Sequence, residues 1–430
     1  MLTKLTATAK SQLKRGNVRN LGALTLGSSV SMIVGLIFLP ILTRLYSPSD
    51  FAVLAVFSSA VMNIGAAMTL RYEIAIPLAD RSAAGRRQAQ IAGQLATSIS
   101  VIIAFILTAM WAVSYSWFGD FLGLGELGFW VPISACLVAS TGTVGNWLIR
   151  EGAYAKQGLL VSARTSLTAA SQIAMSPLHW GGLGLVVGYT LGPLVGLTTM
   201  RHFLWPFGSL KEFRAVAAAH KDLPFFSAPA TFIASFGATF QIYILALYYS
   251  PETTGAFSVI LRVMFVPLAL VFNNLDSVLF GSSTAHDTPA IAVSQKILRL
   301  LPKLVIWSVA IVVPSALIAT VLIPIVLGPQ WQLAAQFLLP LVPLIVARMI
   351  AAPTMSAFAV WDRQRELLLW TLLSIAVPFA VGLMFARNGA TAPMTILATS
   401  AVGAVALLSQ VVRVRAIAHN TLREESEPST

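Results

Sequence analysis

Three arginines lie inside long apolar stretches of the sequence, where a permanent charge is unusual. They are Arg164, Arg262 and Arg348, in the fifth, eighth and tenth of the membrane spans predicted below. A charge in hydrocarbon costs about 2.5–3.5 kcal/mol on insertion scales and usually faces a cavity or a partner. Because a guanidinium binds phosphate through two parallel hydrogen bonds, we predict that these arginines line a cationic cavity for an anionic substrate. The alternative for each is a structural arginine that pairs with a carbonyl or extends to the interface.

A second group of charges lies at the cytoplasmic ends of two predicted spans. Arg71 and Glu73 end the second span, and Asp276 ends the eighth. Residues two apart do not face each other on one helix, so we expect Arg71 to reach Asp276 and close a cytoplasmic gate. The two acids are also the candidates for coupling to H⁺ or Na⁺. The alternative is ordinary anchoring at the membrane interface.

Glycines repeat every four residues in the sixth predicted span, which favours close helix packing. No metal-ligand spacing is present, and neither a metal nor a cofactor is predicted. The run GLGELG (123–128) matches the dinucleotide fingerprint in letters only, since it joins two spans and follows no strand. The four glycines are Gly184, Gly188, Gly192 and Gly196.

The composition requires that lipid surround most of the chain. Of 430 residues, 57% are hydrophobic and 10% are charged, and the mean hydropathy is +0.80. Soluble domains carry about 25% charged residues. A helix needs about 20 apolar residues to cross about 30 Å of hydrocarbon, and twelve stretches meet that length. They run approximately over 21–43, 51–70, 91–115, 127–149, 159–178, 180–200, 224–248, 255–280, 303–327, 332–356, 367–386 and 393–412.

The distribution of Lys and Arg orients these spans in the membrane. With a cytoplasmic N-terminus, 23 of the 28 Lys and Arg lie on the cytoplasmic side, 2 lie outside and 3 lie within spans. This positive-inside bias predicts that both termini are cytoplasmic, and it explains the net charge of +12 without a nucleic-acid partner. The cytoplasmic parts are a basic N-terminal tail (1–20), a linker (201–223) and a C-terminal tail (413–430), of which 422–430 is expected to be disordered.

The phrase Tyr-Ser-Pro occurs twice, with Pro48 and Pro251 separated by 203 residues. The same shift relates Glu73 to Asp276, the acids that end the second and eighth spans. Six spans in each half give both halves the same orientation, as in parallel repeats. The alternative is that proline merely presets a convenient turn at both places.

The repeat predicts an all-α, polytopic membrane protein with twelve transmembrane helices in two parallel six-helix lobes. The N-lobe is predicted over 21–200 and the C-lobe over 224–412. Two such lobes can rock about a central site and open it to one side of the membrane and then to the other. The fold therefore predicts a transporter.

Four stretches of the sequence resemble one family of membrane proteins. LGALTLGSSVSMIVGLIFLPILTRLYSPSDFAVLAVFSS (21–59) and LRYEIAIPLAD (70–80) are similar to the start of bacterial polysaccharide transporters. KDLPFFSAPATFIASF (221–236) and GAFSVILRVMFVPLALV (255–271) are similar to the opening of that family's second half. The family comprises the O-antigen and exopolysaccharide flippases of the multidrug/oligosaccharidyl-lipid/polysaccharide exporter superfamily.

The resemblance implies a V-shaped, two-lobed bundle in the bacterial inner (cytoplasmic) membrane. It also implies an anionic lipid-linked oligosaccharide as substrate, with the sugars attached to a polyprenyl diphosphate. The lipid would be turned over from the cytoplasmic to the outer leaflet, commonly with coupling to a cation gradient. On this basis we expect a flippase for O-antigen, lipopolysaccharide, exopolysaccharide or capsule biosynthesis, and no enzymatic activity. The sequence specifies neither the sugar nor the oligomeric state.

Two other function classes stay open on the sequence. LADRSAAGRR (78–87) is similar to the basic loop of major-facilitator transporters, which carry small molecules, although two extra residues interrupt that motif. A membrane polysaccharide polymerase or ligase would need reactive groups on the outer side, usually on a large loop. The short outer loops here offer only Asp50, Asp120 and Glu126.

Overall fold

The structure is a computed structural model, and all the regular secondary structure it describes is helical. The chain divides into two compact units. The first unit comprises Met1–Tyr46 and Val53–Phe236, and the second comprises Ser47–Ala52 and Gly237–Thr430. The residues described are 30–118, 124–264, 289–355, 357–361 and 363–426.

The described chain from Val30 to Tyr248 is a series of helices joined by short turns. A 3₁₀ turn at Gly192–Gly196 joins α6 to α7, and together they form one candidate membrane span over Gly182–Arg201. The helices are α1 (Val30–Leu45), α2 (Pro48–Ala67), α3 (Ala83–Phe118), α4 (Trp130–Arg150), α5 (Tyr154–Met175), α6 (Gly182–Leu191), α7 (Leu197–Leu204), α8 (Leu210–Ala219) and α9 (Ala228–Tyr248).

The C-terminal half contains longer helices, and the longest carries three prolines. A proline inside a helix removes one backbone hydrogen bond and favours a bend. These prolines are Pro302, Pro314 and Pro324, all in α11. The helices are α10 (251–264), α11 (Pro289–Leu327), α12 (Leu338–Met355), α13 (Gln364–Arg387) and α14 (Ala392–Ser426).

Each of the twelve predicted spans overlaps a helix that the structure describes. Among the described residues, eight helices are long and apolar enough to cross a membrane. The number is nine if Pro329–Ala335 and Leu338–Ala352, bent by 52°, form one span. Helix α5, which contains Arg164 and several polar residues, is not among the eight. These findings confirm an all-helical, multi-pass membrane protein.

The predicted linker contains a helix, and the predicted C-terminal tail is more ordered than the sequence indicated. Helix α8 lies within the linker, and α14 continues to Ser426, so the predicted boundary at 412 falls inside a helix. The expected disorder of 422–430 is therefore wrong as far as Ser426. An existing helix extends easily, because the unfavourable nucleation step has already occurred in the span.

Serine caps begin the two helices that follow the Tyr-Ser-Pro turns. The Asp50 N–H donates to Ser47 Oγ over 3.3 Å, and the Thr253 N–H donates to Ser250 Oγ over the same distance. Each serine is an N-cap, and the proline after it occupies the first helical position, where no N–H is required. The repeated phrase thus forms the same helix start twice.

The first unit has an apolar core where α3, α4 and α7 meet. Trp147 and Phe203 lie at its centre, with ring centroids 5.8 Å apart. Gly93 permits this approach, because a Cβ there would lie 2.9 Å from the Phe203 ring. Close van der Waals packing of this kind is what holds helices together in lipid. The second unit has a corresponding core between α11, α12 and α14.

Candidate functional site

The predicted gate residues Arg71 and Glu73 form an ion pair with each other. Arg71 Nη1 lies 3.0 Å from Glu73 Oε1. Helix α2 ends at Ala67, and the chain then turns through Leu70 and Arg71, whose φ angles are 49° and 65°. The expectation that these side chains could not meet is therefore wrong, because the spacing rule holds only for a continuous helix. Asp276 lies outside the described residues, so its pairing with Arg71 stays a prediction.

Glu73 is buried in a small polar cluster at this turn. Its side chain accepts a hydrogen bond from the Thr69 hydroxyl, and the Arg71 N–H donates to Thr69 Oγ1 over 3.3 Å. Burying a carboxylate is costly unless it is paired and hydrogen-bonded, and both conditions hold here. The Arg71 Nε atom is buried, and the described part of the chain offers it no hydrogen-bond partner. The guanidinium thus retains one donor for a further acceptor.

Arg164 lies at the middle of α5, ten residues after Tyr154. That distance is about 15 Å along the helix at 1.5 Å per residue. The side chain is partly buried. Within the residues that the structure describes, its guanidinium has no hydrogen-bond or ion-pair partner. Of the three predicted cavity arginines, Arg164 is thus the one without a protein partner among the described residues.

Arg262 lies against an aromatic pair in the second unit. Its guanidinium carbon is 5.8 Å from the centroid of the Phe51 ring, a cation–π distance. Phe51 in turn meets Trp331 edge to face, with centroids 5.1 Å apart, and both rings are buried. This contact holds the guanidinium over the Phe51 ring, within the second unit.

Arg348 lies near the middle of α12 and is partly buried. Its neighbours Ala347 and Met349 belong to the buried apolar residues of the second unit. Arg164 belongs to the first unit, whereas Arg262 and Arg348 belong to the second. A cavity shared by the three arginines stays a prediction.

The four predicted packing glycines lie against neighbouring elements of the first unit. A Cβ at Gly184 would lie 3.0 Å from the Tyr46 hydroxyl, and a Cβ at Gly196 would lie 2.9 Å from Thr141 Oγ1. Side chains at Gly188 and Gly192 would collide with α5, at Gln172 and Thr168 respectively. Each glycine thus occupies a position where a larger residue would push two helices apart.

Sequence reasoning missed a cluster that fastens the linker to the first unit, which we call the linker clasp. Arg87 makes two hydrogen bonds to the Glu212 carboxylate, of 2.9 and 3.1 Å, and a third to the Pro206 carbonyl. The buried Gln94 amide donates to the carbonyls of Phe203, Leu204 and Pro206. Only the run Ser-x-x-Glu at 209–212, a capping box, could have indicated it.

The clasp strongly perturbs one carboxylate outside the spans. The hydrogen bonds from Arg87, followed by those from the Ser209 backbone and hydroxyl, lower the pKa of Glu212 to about 2. Glu212 is therefore ionised over the whole physiological pH range. The linker clasp is a fixed electrostatic contact and offers no titratable group near neutral pH.

A cleft of about 570 Å³ opens beside α5 in the first unit, and we call it the α5 cleft. Three of its lining residues are charged, and the others are apolar except for Thr198 and Thr199. Arg86 Nη2 lies 3.5 Å from Glu151 Oε1. The lining residues include Arg86, Trp147, Glu151, Lys156, Leu159, Leu160, Ala163, Val195, Thr198 and Thr199.

Comparison with known proteins reveals the fold but no sequence relative. The sequence matches no protein family profile and no curated protein. An inward-facing multidrug resistance MATE family transporter of the MOP superfamily aligns with a TM-score of 0.70, 14% identity and coverage of 94% of this chain and 96% of that chain. An outward-facing MATE transporter of the same superfamily aligns over the same shares, with a TM-score of 0.60 and 13% identity.

A third similar structure is a MOP superfamily transporter from Pyrococcus furiosus, whose binding pocket is described as having reversed polarity. It aligns with a TM-score of 0.55, 15% identity and coverage of 93% of this chain and 96% of that chain. Identities of this size establish a shared fold and nothing finer. Because its described helices align with these structures over more than nine tenths of the chain, the chain has the fold of the MATE transporters of the MOP superfamily.

Proposed function

We propose that the chain is a flippase that moves a polyprenyl-diphosphate-linked oligosaccharide across a membrane by alternating access. The observation that supports this proposal is the charge within the spans. Arg164, Arg262 and Arg348 lie well inside predicted spans, and Asp276 is the one acid there. Arginine stays protonated in proteins, so these side chains repel an organic cation and favour a diphosphate.

The proposed substrate class also has support from the sequence and the fold. The openings of both halves resemble polysaccharide transporters, and the fold is that of a superfamily of exporters. The major-facilitator alternative loses its basis, because the structural likeness is to MATE transporters over 94% of the chain. A polymerase or ligase is not favoured, because the sequence offers no large outer loop for its reactive groups.

We assign different roles to the charged residues of this proposed pathway. Arg164 and Arg262 bind the diphosphate: the Arg164 guanidinium has no hydrogen-bond or ion-pair partner among the described residues, and the Phe51 ring holds the Arg262 guanidinium in place. Arg348 supplies further positive charge. Glu73, together with Asp276, is the candidate for H⁺ or Na⁺ coupling, and Arg71 balances Glu73 in the closed pair.

The test measures in which leaflet the lipid-linked oligosaccharide accumulates. In a bacterial strain that lacks the gene, we expect the substrate to remain in the inner leaflet, and the wild-type gene should restore its appearance outside. The variants Arg164→Gln and Arg262→Gln should abolish export while still inserting into the membrane. Lysine at either position should restore part of the activity, since it keeps the charge but not the bidentate geometry.

Arg415→Gln serves as the matched control, because Arg415 is an exposed arginine of α14 outside the predicted spans. It should leave export unchanged. Normal export by both span variants would refute the roles assigned to the two arginines. If the substrate reached the outer leaflet without the protein but stayed unpolymerised, the flippase proposal would fail in favour of an enzyme.

A further inference from the structure

The α5 cleft is a second site of positive charge, separate from the span arginines. Arg86 lies near the start of α3, before the third predicted span. Glu151 and Lys156 lie on either side of the turn between α4 and α5. The charge distribution places all three at the cytoplasmic ends of their helices. We propose that this cleft binds the phosphate group of an anionic membrane lipid, with the lipid chain along its apolar wall.

The cations that line the cleft outnumber the acids that line it. Glu151 is shared between Arg86 at 3.5 Å and Arg150 at 3.6 Å. Charge-assisted N–H···O bonds usually measure about 2.7–2.9 Å, so neither pair is tight. Lys156 is exposed and, in the part of the chain that is described, forms no ion pair. Two lining cations, Arg86 and Lys156, beside one lining carboxylate leave positive charge for a bound anion.

The remainder of the cleft suits a hydrocarbon chain. Leu159, Leu160 and Ala163 follow Lys156 on the same face of α5, and Val195 lies opposite on the turn between α6 and α7. From Lys156 to Ala163 the helix rises about 10 Å. The Thr199 hydroxyl adds a polar group to the lining. A charged mouth continuous with an apolar wall fits a lipid phosphate better than a free phosphate ion.

The cleft has the size of a binding site for part of a lipid. Small-molecule sites usually enclose about 300–1,000 Å³, and this cleft measures about 570 Å³. That space holds a phosphate group and the first part of a chain. Two sources share this chemistry: an anionic phospholipid of the bilayer, or a polyprenyl diphosphate. The inference does not depend on the proposed flippase activity, because it concerns only lipid binding.

The experiment measures lipid binding to the delipidated, detergent-solubilised protein by native mass spectrometry. Phosphatidylglycerol and a polyprenyl diphosphate are the two lipid probes, phosphatidylcholine is the zwitterionic control, and inorganic pyrophosphate is the chain-free control. We expect Lys156→Gln to weaken binding of both anionic lipids about fivefold, the scale for one basic residue at a lipid headgroup. Lys156→Glu should weaken it further.

Lys211→Gln is the matched control, since Lys211 is an exposed lysine of α8 that does not line the cleft. It should leave both affinities unchanged, and an unaltered unfolding temperature should show that each variant is folded. A preference for either anionic lipid agrees with the proposal and identifies the source, and equal affinity means that the cleft binds the phosphate of both. Equally tight binding of phosphatidylcholine or pyrophosphate, or unchanged binding by Lys156→Gln, would overturn it.

Discussion

The Tyr-Ser-Pro turns at 46–48 and 249–251 can be compared group by group, because 203 residues separate every equivalent pair. Both serines cap the following helix over 3.3 Å. Asp50 also accepts hydrogen bonds from the Ser47 N–H and hydroxyl, of 2.9 and 2.7 Å, which completes a capping box. The equivalent residue of the second turn is Thr253, whose hydroxyl meets Ser250 Oγ at 3.1 Å. The helix start is repeated, but its reinforcement is not.

The tyrosines of the two turns are anchored to different helices. Tyr46 donates to the Gln172 carbonyl on α5 over 2.6 Å, whereas Tyr249 donates to the Ala390 carbonyl before α14 over 2.7 Å. Tyr249 also meets Thr395 Oγ1 at 2.6 Å. The local motif therefore specifies where a helix begins, and the surrounding helices determine what holds it. Each repeat has kept the turn and changed its contacts.

Two arginine–carboxylate pairs, one in each unit, show a similar relation. In the first unit, Arg87 on α3 makes two hydrogen bonds to Glu212 on α8. In the second, Arg413 on α14 makes two hydrogen bonds to Glu366 on α13, of 2.9 and 3.1 Å. Both units thus fasten a segment near their last span with a bidentate arginine–carboxylate pair. The 203-residue shift relates α8 to the end of α14, but it relates α3 to α11 and not to α13, so the two pairs are not equivalent.

The largest expected effect is a loss of stability on substitution of Gly255, the residue that the 203-residue shift makes equivalent to Ala52. Ala52 carries a methyl group, whereas a Cβ at Gly255 would collide with the Pro48 carbonyl oxygen. Because that obstacle is backbone, Gly255→Ala should destabilise the protein by about 3 kcal/mol or more. The measurement is thermal unfolding of the detergent-solubilised protein, together with the yield of folded protein.

Gly142→Ala is the control for this prediction, because nothing lies within 4 Å of a Cβ built at that position of α4. It should be neutral or slightly stabilising, since alanine favours a helix more than glycine does. If Gly255→Ala were as stable as the control, the two repeats would be interchangeable at this position, and the close approach of Gly255 to Pro48 would be incorrect.

A smaller effect should distinguish the two tyrosine anchors. Tyr46 is buried and Tyr249 is partly exposed. Tyr46→Phe should cost about 1–1.5 kcal/mol, because no water can replace the lost donor at the Gln172 carbonyl. Tyr249→Phe should cost about 0.5 kcal/mol, since water can reach the site. Unfolding temperatures of the two variants test the order, and a larger loss for Tyr249→Phe would contradict it.

The next effect concerns the two serine caps. Ser47→Ala removes an N-cap and also the hydroxyl that Asp50 holds, so it should cost about 1 kcal/mol or slightly more. Ser250→Ala removes a cap of equal length without an acidic partner, and it should cost about 0.5 kcal/mol. Hydrogen exchange of the first-turn amides of α2 and α10 would reveal the difference. If the first-turn amides of both helices lost the same protection, Asp50 would not reinforce the Ser47 cap.

The sequence predicted the elements well, because the signals that define spans are local. Apolar length and the positions of Lys and Arg located a helix for every predicted span, and the repeat located both serine-capped starts. What failed was the geometry where a helix ends. The spacing rule places Arg71 and Glu73 on one helix, but left-handed residues at Leu70 and Arg71 turn the chain and bring the charges together. No single residue type at 68–71 requires that turn.

Long-range polar contacts could not be predicted from the sequence, for a different reason. Gln94 and the carbonyls it binds are separated by 109 to 112 residues, and Arg87 and Glu212 by 125. A glutamine in a span could equally face a pathway, a neighbouring helix or a loop. Only the folded chain shows that it fastens the linker. The capping box at Ser209 indicated the start of α8 but not its partner.

The smallest predicted effect tests the linker clasp through pH. The pKa of Glu212 falls from 4.5 to about 2 in the folded protein, mainly because Arg87 donates hydrogen bonds to it. A carboxylate with a lowered folded-state pKa stabilises the fold above its unfolded-state pKa, and the contribution disappears as the pH falls through the folded-state pKa. The unfolding temperatures of the wild type and Glu212→Gln should therefore differ by a constant amount from pH 8 to about pH 5, and the difference should shrink between pH 4.5 and 2. Lys211→Gln, beside Glu212 but outside the clasp, should follow the wild type throughout. A difference that persisted unchanged at pH 2 would mean that the carboxylate charge does not fasten the linker, and the likeness to the Arg413–Glu366 pair of the second unit would then be one of geometry alone.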